Sequence, residues 1–269
     1  RTNWAASVQY QITPDVMTFA RVATGYKAGG FNPRAMNDGY DPESLTSYEV
    51  GFKSELFDRR VRLNGNLFHM TLKDKQLNQM VAGTGGANSV TVNAGSGRFT
   101  GVELELDVLL TDQLRLNGSG GYTKRKVRSF IVLDPTTDEY IDVADEARFN
   151  YSASTTFNVG AEYRFGELAG GELIARLDYA WRSRIYVNAI PRFGPFDEYL
   201  TSGPVGLLDG RLGLTGFQLG GTEATLALWG RNLTNKKYPV SGVDFGSLGF
   251  ANMTYSEPRT WGVDMKVKF

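Results

Sequence analysis

The sequence predicts an all-β protein, an antiparallel transmembrane β-barrel of about eleven strands, on three observations. Apolar and polar residues alternate strictly over one segment after another, the segments are long, and the connections between them alternate short and long without exception. Successive side chains of a strand point to opposite faces, so strict alternation marks a strand with one apolar wall and one polar wall. No segment carries a convincing helical period.

The predicted strands lie at 3–11, 15–26, 46–56, 61–73, 98–109, 113–126, 149–165, 172–186, 205–215, 222–232 and 258–269. In the third, "YEVGFKSEL" sets Tyr48, Val50, Phe52 and Leu56 against Glu49, Lys53 and Glu55. In the fifth, Val102, Leu104, Leu106 and Val108 oppose Glu103, Glu105 and Asp107. The seventh, "YSASTTFNVGAEYRF", puts Tyr151, Ala153, Thr155, Phe157, Val159, Ala161, Tyr163 and Phe165 on one wall. In the eighth, Leu173, Ala175, Leu177, Tyr179 and Trp181 oppose Arg176, Asp178, Arg182 and Arg184. The last, "WGVDMKVKF", ends the chain with Trp261, Val263, Met265, Val267 and Phe269 on one parity.

These strands run about 9 to 17 residues, against roughly five or six in soluble sheets and 9–11 for a strand crossing a bilayer at about 45°. The short connections lie around "QITP", "FDRR", "LTDQ", "GELAGG" and "GFQLGG"; the long ones are 27–45, 74–97, 127–148, 187–204 and 233–257. A sandwich has no reason to gather every long loop at one end, whereas an outer-membrane barrel does, with tight periplasmic turns and long extracellular loops. An apolar wall on nearly every strand suits lipid outside, and a charged, Gly/Ser/Asn-rich wall suits a wet or plugged lumen. Aromatic residues near strand ends, among them Trp4, Tyr26, Tyr48, Tyr122, Trp181 and Trp261, fit the girdles at membrane interfaces.

Composition narrows the function. Lys plus Arg and Asp plus Glu number 29 each, so no basic excess points to nucleic acid. With no cysteine, a disulfide framework, thiolate metal site or cysteine nucleophile is excluded. The single histidine, His69, shares a parity with Val61, Leu63 and Leu67 and reads as an interfacial residue on the lipid side. No cofactor and no catalytic constellation is expected, and the chain reads as a non-enzyme. It starts Arg-Thr-Asn-Trp, without an initiating Met or signal peptide, as expected of a piece of something longer. Closing eleven strands would pair the first and last in parallel, which antiparallel barrels of even strand number avoid. Either the chain belongs to a larger barrel or the count is off by one.

Several segments carry a family resemblance. "GYKAGGFNPR" (Gly25 to Arg34), "SYEVGFKSELFDRRVRLNGNLFHMTLKDKQ" (Ser47 to Gln76), "GVELELD" (Gly101 to Asp107), "GRNLTNKKY" (Gly230 to Tyr238) and "EPRTWGVDMKVKF" resemble, in order, segments of TonB-dependent outer-membrane receptors. The resemblance implies that residues 1–269 are the C-terminal half of a twenty-two-stranded barrel whose N-terminal half, plug domain and TonB-binding box lie outside this chain. It further implies a bacterial outer-membrane location, contact with outer-membrane lipids, and recognition of Trp261–Phe269 by the barrel-assembly machinery. The implied cargo is a scarce nutrient: a ferric siderophore first, cobalamin or a saccharide otherwise.

Within that frame, Arg62, Glu103, Glu105, Asp107, Arg115, Arg176, Arg182 and Arg211 are the expected lumenal charges, meeting one another or the plug. The three carboxylates stand about 7 Å apart along one strand face, with no partner in view for acid–base work. Arg34, Arg192, Phe193, Phe196 and Tyr199 are the candidate extracellular ligand contacts, packing within the loops being the equal alternative. "GTGGANS" (Gly83 to Ser89) lacks the Lys-Ser/Thr and helix of a phosphate loop and reads as an extracellular loop. The run Lys124, Arg125, Lys126 and Arg128 reads as a solvated rim or a site for lipopolysaccharide phosphates or an anionic ligand. Three rivals stand beside the receptor: a passive porin, an outer-membrane hydrolase and a soluble β-rich binding module.

Overall fold

A computed structural model of the chain describes residues 2–32, 39–83, 86–134, 137, 139–246 and 249–268. Eleven long strands form one antiparallel sheet in chain order: β1 (Ala5–Thr13), β2 (Val16–Lys27), β3 (Glu43–Leu56), β4 (Val61–Gly83), β5 (Gly86–Leu109), β6 (Leu114–Asp134), β7 (Thr155–Leu168), β8 (Gly171–Arg182), β9 (Val205–Leu219), β10 (Thr222–Arg231) and β11 (Thr260–Lys268). Each predicted strand is present, each pairs with its sequence neighbours, and β1 and β11 are the free edges. Short segments decorate the long connections: Gly30–Phe31 with Gly39–Tyr40, Ile185–Tyr186 with Thr201–Ser202, and Pro239–Phe245 with Phe250–Tyr255.

The tight turns follow from local chemistry. Between β3 and β4, Phe57, Asp58 and Arg59 take φ of 54°, 53° and 64° in succession. Left-handed backbone over three residues reverses the chain within a few positions, at a steric cost that Asp bears better than most residues.

Two connections differ from expectation. The loop predicted at 74–97 is mostly strand: β4 continues to Gly83, β5 begins at Gly86, and the ladder runs from Lys75↔Gly95 to Gly83↔Gly86. The register slips between Leu72 and Gln76, where Asp74 has φ +55°. Such a bulge reverses the parity of every later residue, so the alternation that betrays a strand is broken at the junction. Thr84 and Gly85 of the "GTGGANS" segment lie outside the described residues. Likewise β6 runs to Asp134, and Glu139–Asp142 folds back on it, where a loop was expected at 127–148.

Two strands are shorter than predicted. Residues 149–154 stand outside β7, because the backbone N–H groups of Ser154 and Thr155 donate to the Ser183 hydroxyl, 3.0 and 3.1 Å, rather than to a ladder. At the end of β8, Ile185–Tyr186 leaves the sheet to pair with Thr201–Ser202.

Register assigns every side chain to a wall. One cross-strand row reads Glu55, Arg62, Asp107, Asn117, Gly160, Asp178 and Asp209; another on the same face reads Arg115, Glu162, Arg176, Arg211, Trp229 and Gly262. The opposite face carries Val8, Val50, Leu67, Leu104, Phe157, Val159, Leu177, Leu228 and Val263, all largely open to the surroundings, Val8 at 65 %. A soluble domain buries such a face; here a buried apolar cluster forms at the long-connection end instead, where Phe130 and Val132 at the end of β6 pack with Val143, Ile190 and Phe193. No helix among the described residues is long and apolar enough to cross a membrane.

Candidate functional site

The polar wall is a lattice of separate charge-assisted hydrogen-bonded clusters. Arg115 grips Asp107 with two bonds, Nε–Oδ1 3.0 Å and Nη2–Oδ2 2.6 Å, the bidentate geometry that orients both planar groups. Arg62 donates to Glu55 at 3.1 Å. The Asn66 amide bridges Glu49 and Glu103 at 3.2 and 3.3 Å, and Asn64 donates to Glu105 at 3.2 Å. Arg176 binds Asp178 through two nitrogens, 2.8 and 2.5 Å, and reaches Asn117 at 3.0 Å.

Arg211 and the Trp229 indole N–H both donate to Asp264, at 2.9 Å each. All eight predicted wall charges share this face. Seven sit in the lattice, while Arg182, at the end of β8, turns upward to Ser202 Oγ (2.6 Å) and stacks over Tyr238 at 5.5 Å. Most of these pairs are half-exposed, so each contributes little stability alone; their effect is to fix geometry.

Above the sheet the long connections lock together. Arg148 pairs with Asp197 across 49 residues of sequence and lies over the Tyr186 ring at 3.9 Å. Arg192 pairs with Glu146, joining the same two connections a second time. The Asp244 carboxylate accepts from the Phe196 backbone N–H (3.1 Å) and Asn188 (3.4 Å), drawing in the 239–255 hairpin. Leu200 and Ser202 are fully buried beneath.

Of the predicted ligand contacts, Arg192 is thus held by Glu146, Phe193 packs on the Phe130 cluster, Phe196 is half-buried, and Tyr199 stands 72 % exposed. Arg34 lies outside the described residues. Replacing Arg148 by Met strips Asp197 of its cation; the expected result is several-fold faster chymotrypsin cleavage within 187–204 with the sheet's unfolding midpoint unchanged.

A second clamp ties the 28–43 connection to the extended β4–β5 hairpin. Asn32 and Thr91 exchange two hydrogen bonds, 2.8 and 2.7 Å. Gln76 donates to the carbonyls of Ala28 and Asp41, and Asn93 donates to Asp41. Lys75, beyond the bulge and above the membrane-level part of β4, lies over Phe149 at 4.9 Å; burial lowers its ammonium pKa, opposed by nearby Glu43. His69 occupies the apolar wall near its upper end, Nδ1 at 2.7 Å from the Thr100 hydroxyl, as its parity predicts.

A family model described as "TonB dependent receptor-like, beta-barrel" matches residues 1–233. The chain belongs to the TonB-dependent receptor family. Its place is therefore the bacterial outer membrane. The metal-pseudopaline receptor CntO of Pseudomonas aeruginosa is 31% identical over 174 residues, covering 64% of this chain and 22% of that receptor. The pesticin receptor of Yersinia enterocolitica is 26% identical over 98% of this chain and 35% of its own length.

Among solved TonB-dependent receptors, the ferric yersiniabactin uptake receptor FyuA of Yersinia pestis superimposes with a TM-score of 0.76 at 23% identity, over 98% of this chain and 37% of that one. BauA, the ferric preacinetobactin receptor of Acinetobacter baumannii, gives 0.70 at 18% identity. The chain spans roughly a third or less of these relatives' lengths.

Sequence reasoning placed Glu162, Asp178 and Asp264 on the polar wall by parity, and missed the loop locks and the wall partners Asn117 and Trp229. Asn117 carries a signal, since it shares the strand and parity of Arg115. The loop locks carry none, because their partners are joined only by the fold.

Proposed function

We propose that this chain forms the C-terminal part of the barrel of an energised receptor that imports a metal–siderophore complex. The observation that carries the reading is the superposition of the whole eleven-stranded sheet, 98% of the chain, on about a third of receptors named for ferric siderophores. Free edges at β1 and β11 support a larger barrel, since unpaired strand edges in lipid each leave costly unsatisfied N–H and C=O groups. The remaining strands would close the sheet with its polar wall inward. There Arg62, Glu103, Glu105, Asp107, Arg115, Arg176 and Arg211 would face a plug domain, with Arg182 beneath the loops.

TonB would act through a box N-terminal to the plug, and Trp261–Phe269 would be read by the barrel-assembly machinery. Tyr199, the exposed aromatic of the locked connections, is the foremost of the proposed ligand contacts; Arg34, Arg192, Phe193 and Phe196 complete the set.

The test is uptake of a radio-iron siderophore by cells carrying the parent gene, with and without a functional TonB and after collapse of the inner-membrane potential. Accumulation that needs both supports the receptor. Iron entry indifferent to both means a passive channel and removes the energised mechanism.

A further inference from the structure

The apolar wall carries a feature that transport does not use. Five residues of β6 lie in sequence on that wall: Gly118, Gly120, Tyr122, Lys124 and Lys126. Gly118 and Gly120 floor a groove of ≈ 500 Å³, walled by Leu104 and Leu106 of β5 and by Phe157 and Val159 of β7, with Tyr122 at its upper end. A Cβ built at Gly120 meets Phe157 Cβ at 3.4 Å, an ordinary contact, and Gly120 has no positive φ. The backbone does not require glycine there, and the missing side chain is what leaves the groove open.

Directly above, at the long-connection end of the sheet, stand the cations. Lys126 lies directly opposite Arg98 of β5, and Lys124 lies one step below it, opposite Thr100. All three are exposed, and none forms an ion pair with any described residue. Two like charges directly across a ladder repel unless an anion sits between them. The polar wall, by contrast, gives Arg62, Arg115, Arg176 and Arg211 each a carboxylate.

From floor to rim the order is apolar groove, interfacial aromatic, then clustered cations, over about 27 Å of strand at roughly 3.4 Å per residue. An amphiphile presents the same order: acyl chain, glycerol or sugar interface, phosphate. The long loops of such barrels are extracellular, which puts the cations at the outer leaflet. We propose that this wall holds a phosphorylated lipid of the outer leaflet, its headgroup phosphates on Arg98, Lys124 and Lys126 and one acyl chain in the Gly118–Gly120 groove. The site is independent of the transported ligand.

The test uses the full-length receptor of which this chain is part, in phosphatidylcholine nanodiscs containing a minor fraction of bis-phosphorylated lipid A, with native mass spectrometry counting the lipid retained. Wild-type protein is expected to enrich lipid A over phosphatidylcholine by at least about tenfold, given the attraction of each basic side chain for anionic headgroups. R98Q/K124Q/K126Q is expected to lose that enrichment. Gly120→Leu, which fills the groove and leaves the cations in place, is expected to lower it several-fold, and Lys53→Gln on the polar wall to leave it unchanged.

Lipid A stripped of phosphate should not compete. Retention that survives the triple substitution, or that is equal for the dephosphorylated lipid, overturns the site. Heat-modifiable gel mobility identifies any variant that fails to fold. In that event the salt dependence of wild-type retention decides: loss at high salt supports the proposal, and indifference to salt overturns it.

Discussion

Leu104→Arg is expected to destabilise the barrel by about 2–4 kcal/mol, the cost of a guanidinium near the bilayer mid-plane, and to lower the amount of folded protein in the membrane. Leu104 lies on the apolar wall at 50 % exposure, opposite Gly65 and Gly120. Along β5 the nearest polar residue of that wall, Thr100, is two rungs away, so a cation at Leu104 has no short route to water along its own strand. The matched control is Asn64→Arg on the polar wall, beside Glu105, where a new cation meets an existing carboxylate and the expected change is within about 0.5 kcal/mol. Urea unfolding of the parent barrel from phospholipid bilayers reads both. Equal costs for the two substitutions would mean that the walls do not separate lipid from lumen. A gain in stability for Leu104→Arg would mean that the apolar face meets water.

Where alternation is uninterrupted, the sequence displays its fold openly. From Val61 to Leu72, and again from Gly97 to Leu109, parity alone puts Arg62, Glu103, Glu105 and Asp107 on one wall and Leu67 and Leu104 on the other, and the ladder places them so. At Asp74 the bulge exchanges the walls, and beyond it the same β4 strand is unreadable although it continues to Gly83. Composition adds to the difficulty, because residues 82–97 are rich in Gly, Ser and Asn, which propensity assigns to loops.

The loop locks fail for another reason. Arg148 and Asp197 each sit among ordinary loop residues, and only the docking of two connections brings them together; no local pattern encodes a pairing 49 residues apart. Ser183 shows the same limit at short range. Its hydroxyl takes the N–H groups of Ser154 and Thr155, and so β7 begins at Thr155 where alternation would carry it back to Phe149.

"GRNLTNKKY", one of the segments that carries the family resemblance, is a structural lock, and its expected failure under substitution is large. Asn232 is 7 % exposed and stands at φ +49° where the chain leaves β10. Its backbone N–H donates to Asp209 at 2.8 Å. The side-chain amide donates to the carbonyls of Lys236 (2.9 Å) and Glu257 (3.3 Å), while its oxygen accepts from the Lys236 N–H at 2.8 Å. Asn235, also left-handed at φ +52°, accepts from the Arg259 N–H at 2.9 Å just before β11 begins.

The pair therefore fixes how the chain leaves β10 and enters β11, bracketing the 239–255 hairpin. Asn232→Gly keeps the backbone conformation but removes three hydrogen bonds around a buried turn, an expected loss of about 1–3 kcal/mol. Asn232→Ala removes the same bonds and, unlike the Gly variant, keeps a Cβ in the left-handed region without the local hydrogen bonds that let Asn bear it, for roughly 1 kcal/mol more than Gly. The ordering wild type, Gly, Ala in urea midpoint is the decisive observation. Equal losses for Gly and Ala would place the whole effect in the hydrogen bonds, and no loss in either would show that the turn is held by the flanking strands alone.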